Sequence, residues 1–484
     1  MKRALPCAPV FLALCFGSPL AAREPLPDSL KRAIDSVVDR PAFAPAFWGI
    51  EVRSLSTGRV LYSKNAGKNM KPASTFKLLA TAAAVDLFPP EERFRTSVET
   101  AGHLDAAGRL IGDVLLVGRG DANLSGRFFD GRAIAPFEKM ADALLAAGVV
   151  RIEGRIVGHE GLFKGDRRGE DWAWEDLVWC YGAEVSALSF NDNCAELKAS
   201  AGERAGDPLV IERAPISDYY RVVSTATTSA AGTKSDLTLA RDFGANVIKL
   251  SGTHPLGERP WEGSVALEDP ARYAATVFKE TLETKGIRVE GDVATSSEPL
   301  PGGLRVLAFL ESPPLTEIVK AVNKPSQNLH TEMLLRLLGV KAKGEGSVAA
   351  GHEALKEFLR RSGVAEEPGA LRDASGLSRS DLIRPHEVVN LLVAMDKHPR
   401  GQVFRDSLPI AGVDGSLKNR MKGTPAERRV IAKTGSIRNV NALAGYATNR
   451  DGDRFAFSIV VNHYEGPARD ATAAIDEIAT LLVK

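Results

Sequence analysis

The alternation of apolar and polar positions predicts regular structure at both ends of the chain. Phe47 to Val52 reads as a strand, Ser54-Leu-Ser-Thr-Gly58 as a turn, and Val60 to Ser63 as the partner strand. From Ser74 the spacing becomes helical, with Phe76, Leu78, Leu79, Ala82, Ala83 and Val85 apolar, and Pro89-Pro90 stops the run. Near the other end, Val430 to Lys433, Leu443 to Ala447 and Phe455 to Val461 read as three strands. Asp451-Gly452-Asp453 marks the turn between the last two, and Asp470 to Leu482 reads as a closing helix. One antiparallel sheet with helices packed on it accounts for all of these segments, which is an α+β architecture.

Residues 97–303 have a different texture, rich in Gly, Val and polar turns, with few helical runs besides Phe137 to Ala147 and Arg272 to Lys285. They end in the loop-like Ser296-Ser-Glu-Pro-Leu-Pro-Gly-Gly303. This stretch is expected to be inserted material of mostly β character. Residues 97–180 and 276–303 are assigned to one inserted domain and 181–275 to a second. Residues 23–96 and 304–484 then form the discontinuous main domain, and no internal repeat is present.

At 484 residues, 44% hydrophobic and 25% charged, the chain has the balance of an ordinary globular protein of two or three domains. Lys+Arg 62 against Asp+Glu 61 gives no basic excess that would point to a nucleic-acid or membrane-surface partner. The first residues change the picture. Lys2 and Arg3 precede an apolar stretch from Ala8 to Leu20, and the small Ala21-Ala22 follow, which is the layout of a signal peptide over 1–22 cleaved near Ala22. The mature chain is therefore expected in the periplasm, without a transmembrane segment. It keeps two cysteines, Cys180 and Cys194, which fit either one disulfide or a pair of buried thiols. None of the eight histidines forms a His-x-x-x-His pattern, so neither a metal nor a cofactor is expected.

Three short motifs carry chemistry. Ser74 and Lys77 are three apart at the start of a helical run, so both face one side, and a buried lysine at a helix N-terminus loses basicity toward the range of a usable base. Taken alone, Ser74 reads equally well as a helix cap and Lys77 as a solvated side chain. Lys433-Thr434-Gly435-Ser436 is rarer: on a strand, Gly435 permits a substrate backbone to approach closely, while Lys433 and the two hydroxyls suit a carboxylate. The plain alternative is an edge strand with a protective charge. Ser326 and Asn328 precede the apolar Leu329 to Leu338, which is also how an ordinary N-cap looks. The order of the three motifs in an exported chain is what a serine acyl-transfer enzyme with a lysine base requires.

With these motifs the chain resembles the low-molecular-mass penicillin-binding proteins of the D-alanyl-D-alanine carboxypeptidase/endopeptidase type, over essentially the whole mature length. Pro72-Ala-Ser-Thr-Phe-Lys77, Gly120-Asp-Ala-Asn-Leu124, Trp172-Ala-Trp-Glu-Asp176, Asp373-Ala-Ser-Gly-Leu-Ser-Arg379, Ala411-Gly-Val-Asp-Gly415 and Ala432-Lys-Thr-Gly-Ser436 look like that family's blocks. The gap from Lys77 to Ser326 is too long for a class A β-lactamase and suits two inserted domains. The resemblance implies a serine β-lactamase/transpeptidase-like catalytic domain acting on peptidoglycan peptides, with β-lactams as further ligands. It implies Ser74 as nucleophile, Lys77 as base, Ser326, Asn328 and Lys433 as further catalytic residues, and Thr434, Gly435 and Ser436 as substrate-binding. It also implies that Asp176 and Arg379 hold the free end of a diaminopimelyl side chain, with Trp172 and Trp174 nearby; a zwitterion needs one anion and one cation. Gln327 and Ala374 depart from the commoner Asp and Gly, and neither is expected to matter. A β-lactamase or esterase on the same motifs, or a non-catalytic wall-binding protein, are the competing readings. Oligomeric state and the choice between carboxypeptidase and endopeptidase stay open.

Overall fold

The structure is a computed structural model, and it describes residues 28–484. The segment read as a signal peptide lies outside those residues. Helix α1 (Asp28–Val38) leads into strands β1 (Phe47–Ser54) and β2 (Val60–Lys64). A short 3-10 turn, Ala73–Phe76, then opens helix α2 (Lys77–Leu87). Residues 77–85 are all buried, so α2 is enclosed on every side, as its mostly apolar circumference requires. It ends before Pro89-Pro90, where the backbone cannot continue helically.

The chain then leaves for the inserted portion. Strands β3 (Arg95–Thr100), β4 (Val114–Gly118) and β5 (Ile156–His159) are joined by β6 (Val293–Ser296) and β7 (Arg305–Glu311) in a sheet ordered β6-β5-β4-β3-β7. Helix α3 (Pro270–Thr284) packs against it, and Phe137, Phe190, Tyr273 and Phe278 stack in its core. Beyond it lies a second β region that includes the strands Cys194–Ser200, Val210–Ala214 and Trp261–Ala266. The expected domain limits need correction. Strand β3 begins at Arg95, and β7 pairs beside it from Arg305↔Thr100 to Glu311↔Arg95, so residues 305–311 belong to the inserted sheet rather than to the piece starting at 304. The expected division at 275/276 cuts α3, which is one continuous helix.

After β7 the chain returns through helices α4 (Leu315–Asn323), α5 (Asn328–Lys343), α6 (Val348–Arg361) and α7 (Pro385–Lys397) to strands β8 (Val430–Ile437), β9 (Val440–Thr448) and β10 (Arg454–Asn462), and closes with α8 (Ala468–Leu481). The five strands form an antiparallel sheet ordered β2-β1-β10-β9-β8. Alternation along β9 divides its side chains between two cores. Leu443 and Ala447 join Ile34, Val37, Ile475 and Ile478 under α1 and α8, whereas Ala444 and Tyr446 face the cluster built on α2, α5, α6 and α7. The sheet is thus covered on both faces, and the edge strand β8 lies against the 3-10 turn that opens α2.

Candidate functional site

Ser74 sits in the second position of the 3-10 turn, and its predecessor Ala73 has φ +47, a left-handed backbone that an L-residue adopts at a cost. The turn does not place Ser74 as a helix cap. Its hydroxyl instead accepts from Lys77 Nζ at 2.8 Å. Lys77 is wholly buried and has two more partners, Asn328 Oδ1 at 2.6 Å and the Ser375 carbonyl at 2.7 Å. Both of these can only accept from an amine. The three donations together describe the protonated amine. Once it is neutral, Asn328 and Ser375 take its two hydrogens, the contact to Ser74 reverses, and the lone pair faces the Ser74 hydroxyl. Burial lowers the Lys77 pKa to about 7, with the charges of Asp373 and Glu332 opposing the shift.

The Ser326-Gln-Asn328 segment reaches the same spot. Ser326 also holds a left-handed backbone, φ +68, and its Oγ accepts from Lys433 Nζ at 2.7 Å. Asn328 is the first residue of α5, and its Nδ2 donates to the carbonyl of Tyr181 at 2.8 Å. Neither side chain caps the helix. Gln327 points elsewhere, donating to Asp192 at 2.7 Å. Lys433 is wholly buried on β8 and also donates to the Thr434 carbonyl at 2.9 Å. Burial, together with the charge of Lys77, holds its pKa well below the ordinary lysine value. The Thr434 hydroxyl shares a hydrogen bond with Ser416 at 2.7 Å, and the Ser436 hydroxyl donates to Asn441 at 3.2 Å.

The space at Gly435 is occupied from within the protein. A Cβ there would lie 2.8 Å from the Pro72 carbonyl and 3.1 Å from the Ser74 amide nitrogen, so the glycine lets β8 approach the nucleophile's own turn. A cleft of about 610 Å³ opens beside this cluster. Ser74, Ser326, Asn328 and Ser436 line one part of it, and Asp176, Trp179, Tyr181, Leu377, Arg379 and Arg438 line the rest. Asp176 is buried and accepts from Arg379 at 3.0 Å and from the Tyr181 hydroxyl at 3.1 Å. The expected tryptophans do not line the cleft. Trp172 turns inward and donates from Nε1 to Asp373 at 2.9 Å, and Trp174 is 71% exposed. Trp179 and Tyr181 take their place, on a loop tied to the strand Cys194–Ser200 of the second β region by the Cys180–Cys194 disulfide. That bond decides between the two cysteine readings the sequence allows.

The side chains at 74, 77, 326, 328 and 433 are therefore gathered into one pocket. Neither the Ser375 carbonyl nor Tyr181 is marked in the sequence, since a main-chain acceptor has no side-chain signature and Tyr181 acts on Asn328 through its backbone.

Comparison with known proteins agrees with this geometry. Residues 30–482 match the D-Ala-D-Ala carboxypeptidase 3 (S13) family. The chain is 34% identical over 467 residues to the D-alanyl-D-alanine carboxypeptidase of Actinomadura sp. strain R39, covering 94% of this chain and 84% of that protein. It is 27% identical to the D-alanyl-D-alanine carboxypeptidase DacB of Haemophilus influenzae, covering 86% of this chain and 85% of that one. Among solved structures, penicillin binding protein 4 from Haemophilus influenzae superposes with a TM-score of 0.81 at 25% identity, over 93% of this chain and 98% of that one. The order of the motifs, the pocket they build and a match along nearly the whole described length lead to one assignment: the chain belongs to the D-Ala-D-Ala carboxypeptidase 3 (S13) family.

Proposed function

We propose that this protein is a serine-type D-Ala-D-Ala carboxypeptidase and D,D-endopeptidase that cleaves peptidoglycan stem peptides through an acyl-enzyme on Ser74 and is itself acylated by penicillin. The observation that carries the reading is the Lys77 amine, 2.8 Å from Ser74 Oγ with its other hydrogens committed to Asn328 and Ser375.

The chemistry follows from that arrangement. Ser74 Oγ attacks the carbonyl carbon of the penultimate D-alanine while Lys77 takes the hydroxyl proton. Backbone N–H groups of Ser74 and Ser436 are assigned to the oxyanion, because β8 lies against the nucleophile's turn. Ser326, bridged to Lys433, delivers a proton to the departing amine as the C–N bond breaks. The proton that Lys77 took passes on to re-protonate Ser326, leaving the amine neutral. Water then attacks the ester carbonyl. Lys77 takes the water's proton and hands it to Ser74 Oγ as the acyl–oxygen bond breaks, and the acid product leaves. Asp176 and Arg379 neutralise each other in the empty cleft and exchange that contact for the amine and carboxylate of a diaminopimelyl end. Among the described residues no helix is long and apolar enough to cross a membrane. The basic and apolar leader at 1–22 supports export to the periplasm, where this substrate lies.

Purified muropeptides incubated with the protein and followed by mass spectrometry test the reading. Loss of one terminal alanine is the expected carboxypeptidase product, and halving of cross-linked dimers the endopeptidase product. Intact muropeptides together with unlabelled protein after penicillin treatment would refute it.

A further inference from the structure

The Lys77 amine is held from below by a loop, and that loop is held by two buried carboxylates. Asn328 and Glu332 stand one turn apart on the same face of α5. Asn328 binds the amine directly. Glu332 is 1% exposed, and its Oε1 accepts from the backbone nitrogens of Ala374 at 2.9 Å and Ser375 at 2.8 Å. The next peptide is fixed at both ends. Its N–H, on Gly376, donates to Asp373 Oδ1 at 2.7 Å, and its C=O, on Ser375, accepts from Lys77 at 2.7 Å. A planar peptide cannot turn one end without the other. Asp373 Oδ2 is in turn held by Ser378 N, the Ser375 hydroxyl and Trp172 Nε1, at 2.8, 3.2 and 2.9 Å.

From this geometry we propose that Glu332 and Asp373 are positioning residues for the general base, locking the Ser375 carbonyl onto one hydrogen of Lys77 so that the amine's lone pair faces Ser74. The inference rests on the acyl-enzyme reading above.

A comparison within the pocket supports it. Lys77 and Lys433 are equally buried. The charges of Asp373 and Glu332 oppose the effect of burial on Lys77, which stays near 7. Burial and the positive charge of Lys77 act on Lys433 in the same direction, and no anion among the described residues offsets them. Burial and the Asp373 charge push Asp381 up to about 10 and Glu332 up to about 7. Asp381 therefore stays protonated through the neutral range, while Glu332 gains its charge in the same range in which Lys77 loses its own. Arg336 is the cation facing Glu332, 3.9 Å from its other oxygen. The carboxylates thus do two separable things: they aim a carbonyl, and they keep the lysine from losing its basicity altogether.

Penicillin acylation rates across pH, measured on the full-length protein, separate the two. Glu332→Gln keeps the acceptor oxygen and removes the charge that the carboxylate carries above about 7, so the acid limb of the profile should move to lower pH. Glu332→Ala frees the carbonyl, and kcat on a D-Ala-D-Ala peptide should fall on the order of tenfold or more at unchanged KM. Partial recovery in the glutamine variant relative to alanine is the expected rescue. An acid limb that does not move in Glu332→Gln, or a loss in both variants that tracks only a lower melting temperature, would overturn the proposal. Ser74→Ala serves as the control: labelling that persists there defeats the acyl-enzyme reading itself, and labelling lost there with an unmoved limb defeats only the positioning.

Discussion

Asp176 and Arg379, separated by 203 positions in the chain, meet at 3.0 Å at the side of the cleft. One comes from the inserted portion and the other from the loop after α6, so the clamp exists only when the two parts are assembled. Asp176→Ala leaves Arg379 without its anion and removes the site for a cationic end. Catalytic efficiency on peptides with a free diaminopimelyl end should drop by about 10²-fold, as for a lost charge-assisted contact made in the transition state. Penicillin acylation should be unaffected. Equal loss on both, measured side by side, would remove the clamp from the mechanism.

Ser74→Ala removes the only atom that can form the acyl bond in this scheme. Labelling by fluorescent penicillin and release of D-alanine should both vanish. The thermal transition should stay close to the parent, because Ser74 sits half-buried at the cleft and not in a core. Residual labelling found by peptide mapping at another serine would contradict the assignment.

The pH dependence follows from Lys77. A base must be neutral to accept a proton, and the amine here loses its charge at about 7 rather than at the usual lysine value. Acylation should therefore fall as the pH drops through about 7. Asn328→Asp would place a carboxylate on Lys77 Nζ, favour the protonated amine and move the acid limb to higher pH, opposite to Glu332→Gln. A limb that stays put in Asn328→Asp would show that another group sets it.

The disulfide carries a fourth expectation. Cys180 and Cys194, 14 apart in sequence, close the loop that presents Tyr181. Replacing both with serine should cost on the order of 3 kcal/mol of stability, seen as an earlier thermal transition. It should also weaken the clamp, because Tyr181 bonds Asp176 through its hydroxyl and Asn328 through its carbonyl. Unchanged melting and unchanged peptide kinetics would make the bond irrelevant to the site.

Much of this site was legible in the sequence because its side chains are chemically marked. Ser74 with Lys77, Ser326 with Asn328 and Lys433 with Gly435 each belong to a short pattern, and the helices and the strand that carry them show a local periodicity. What escaped notice depends on contacts without a local signal. The pairing of β3 with β7 joins residues more than two hundred positions apart, so the limit of the inserted sheet could not be read from either segment. The sequence assigns the close approach at Gly435 to a substrate backbone, whereas the group the structure places there is the Pro72 carbonyl. Trp172 and Trp174 were placed by their closeness to Asp176 in sequence, and side-chain direction on an irregular loop decided otherwise.

Where the chain departs for its long excursion and where it comes back, Phe94 and Ser312 are bonded to one another, 218 positions apart. Whatever lies between them begins and finishes at a single point on the helical body. Sequence there can lengthen, shorten or diverge without displacing Ser74, so long as Trp172 and Tyr181 still reach back. Reaction chemistry and substrate preference are thereby free to evolve at different speeds within one polypeptide.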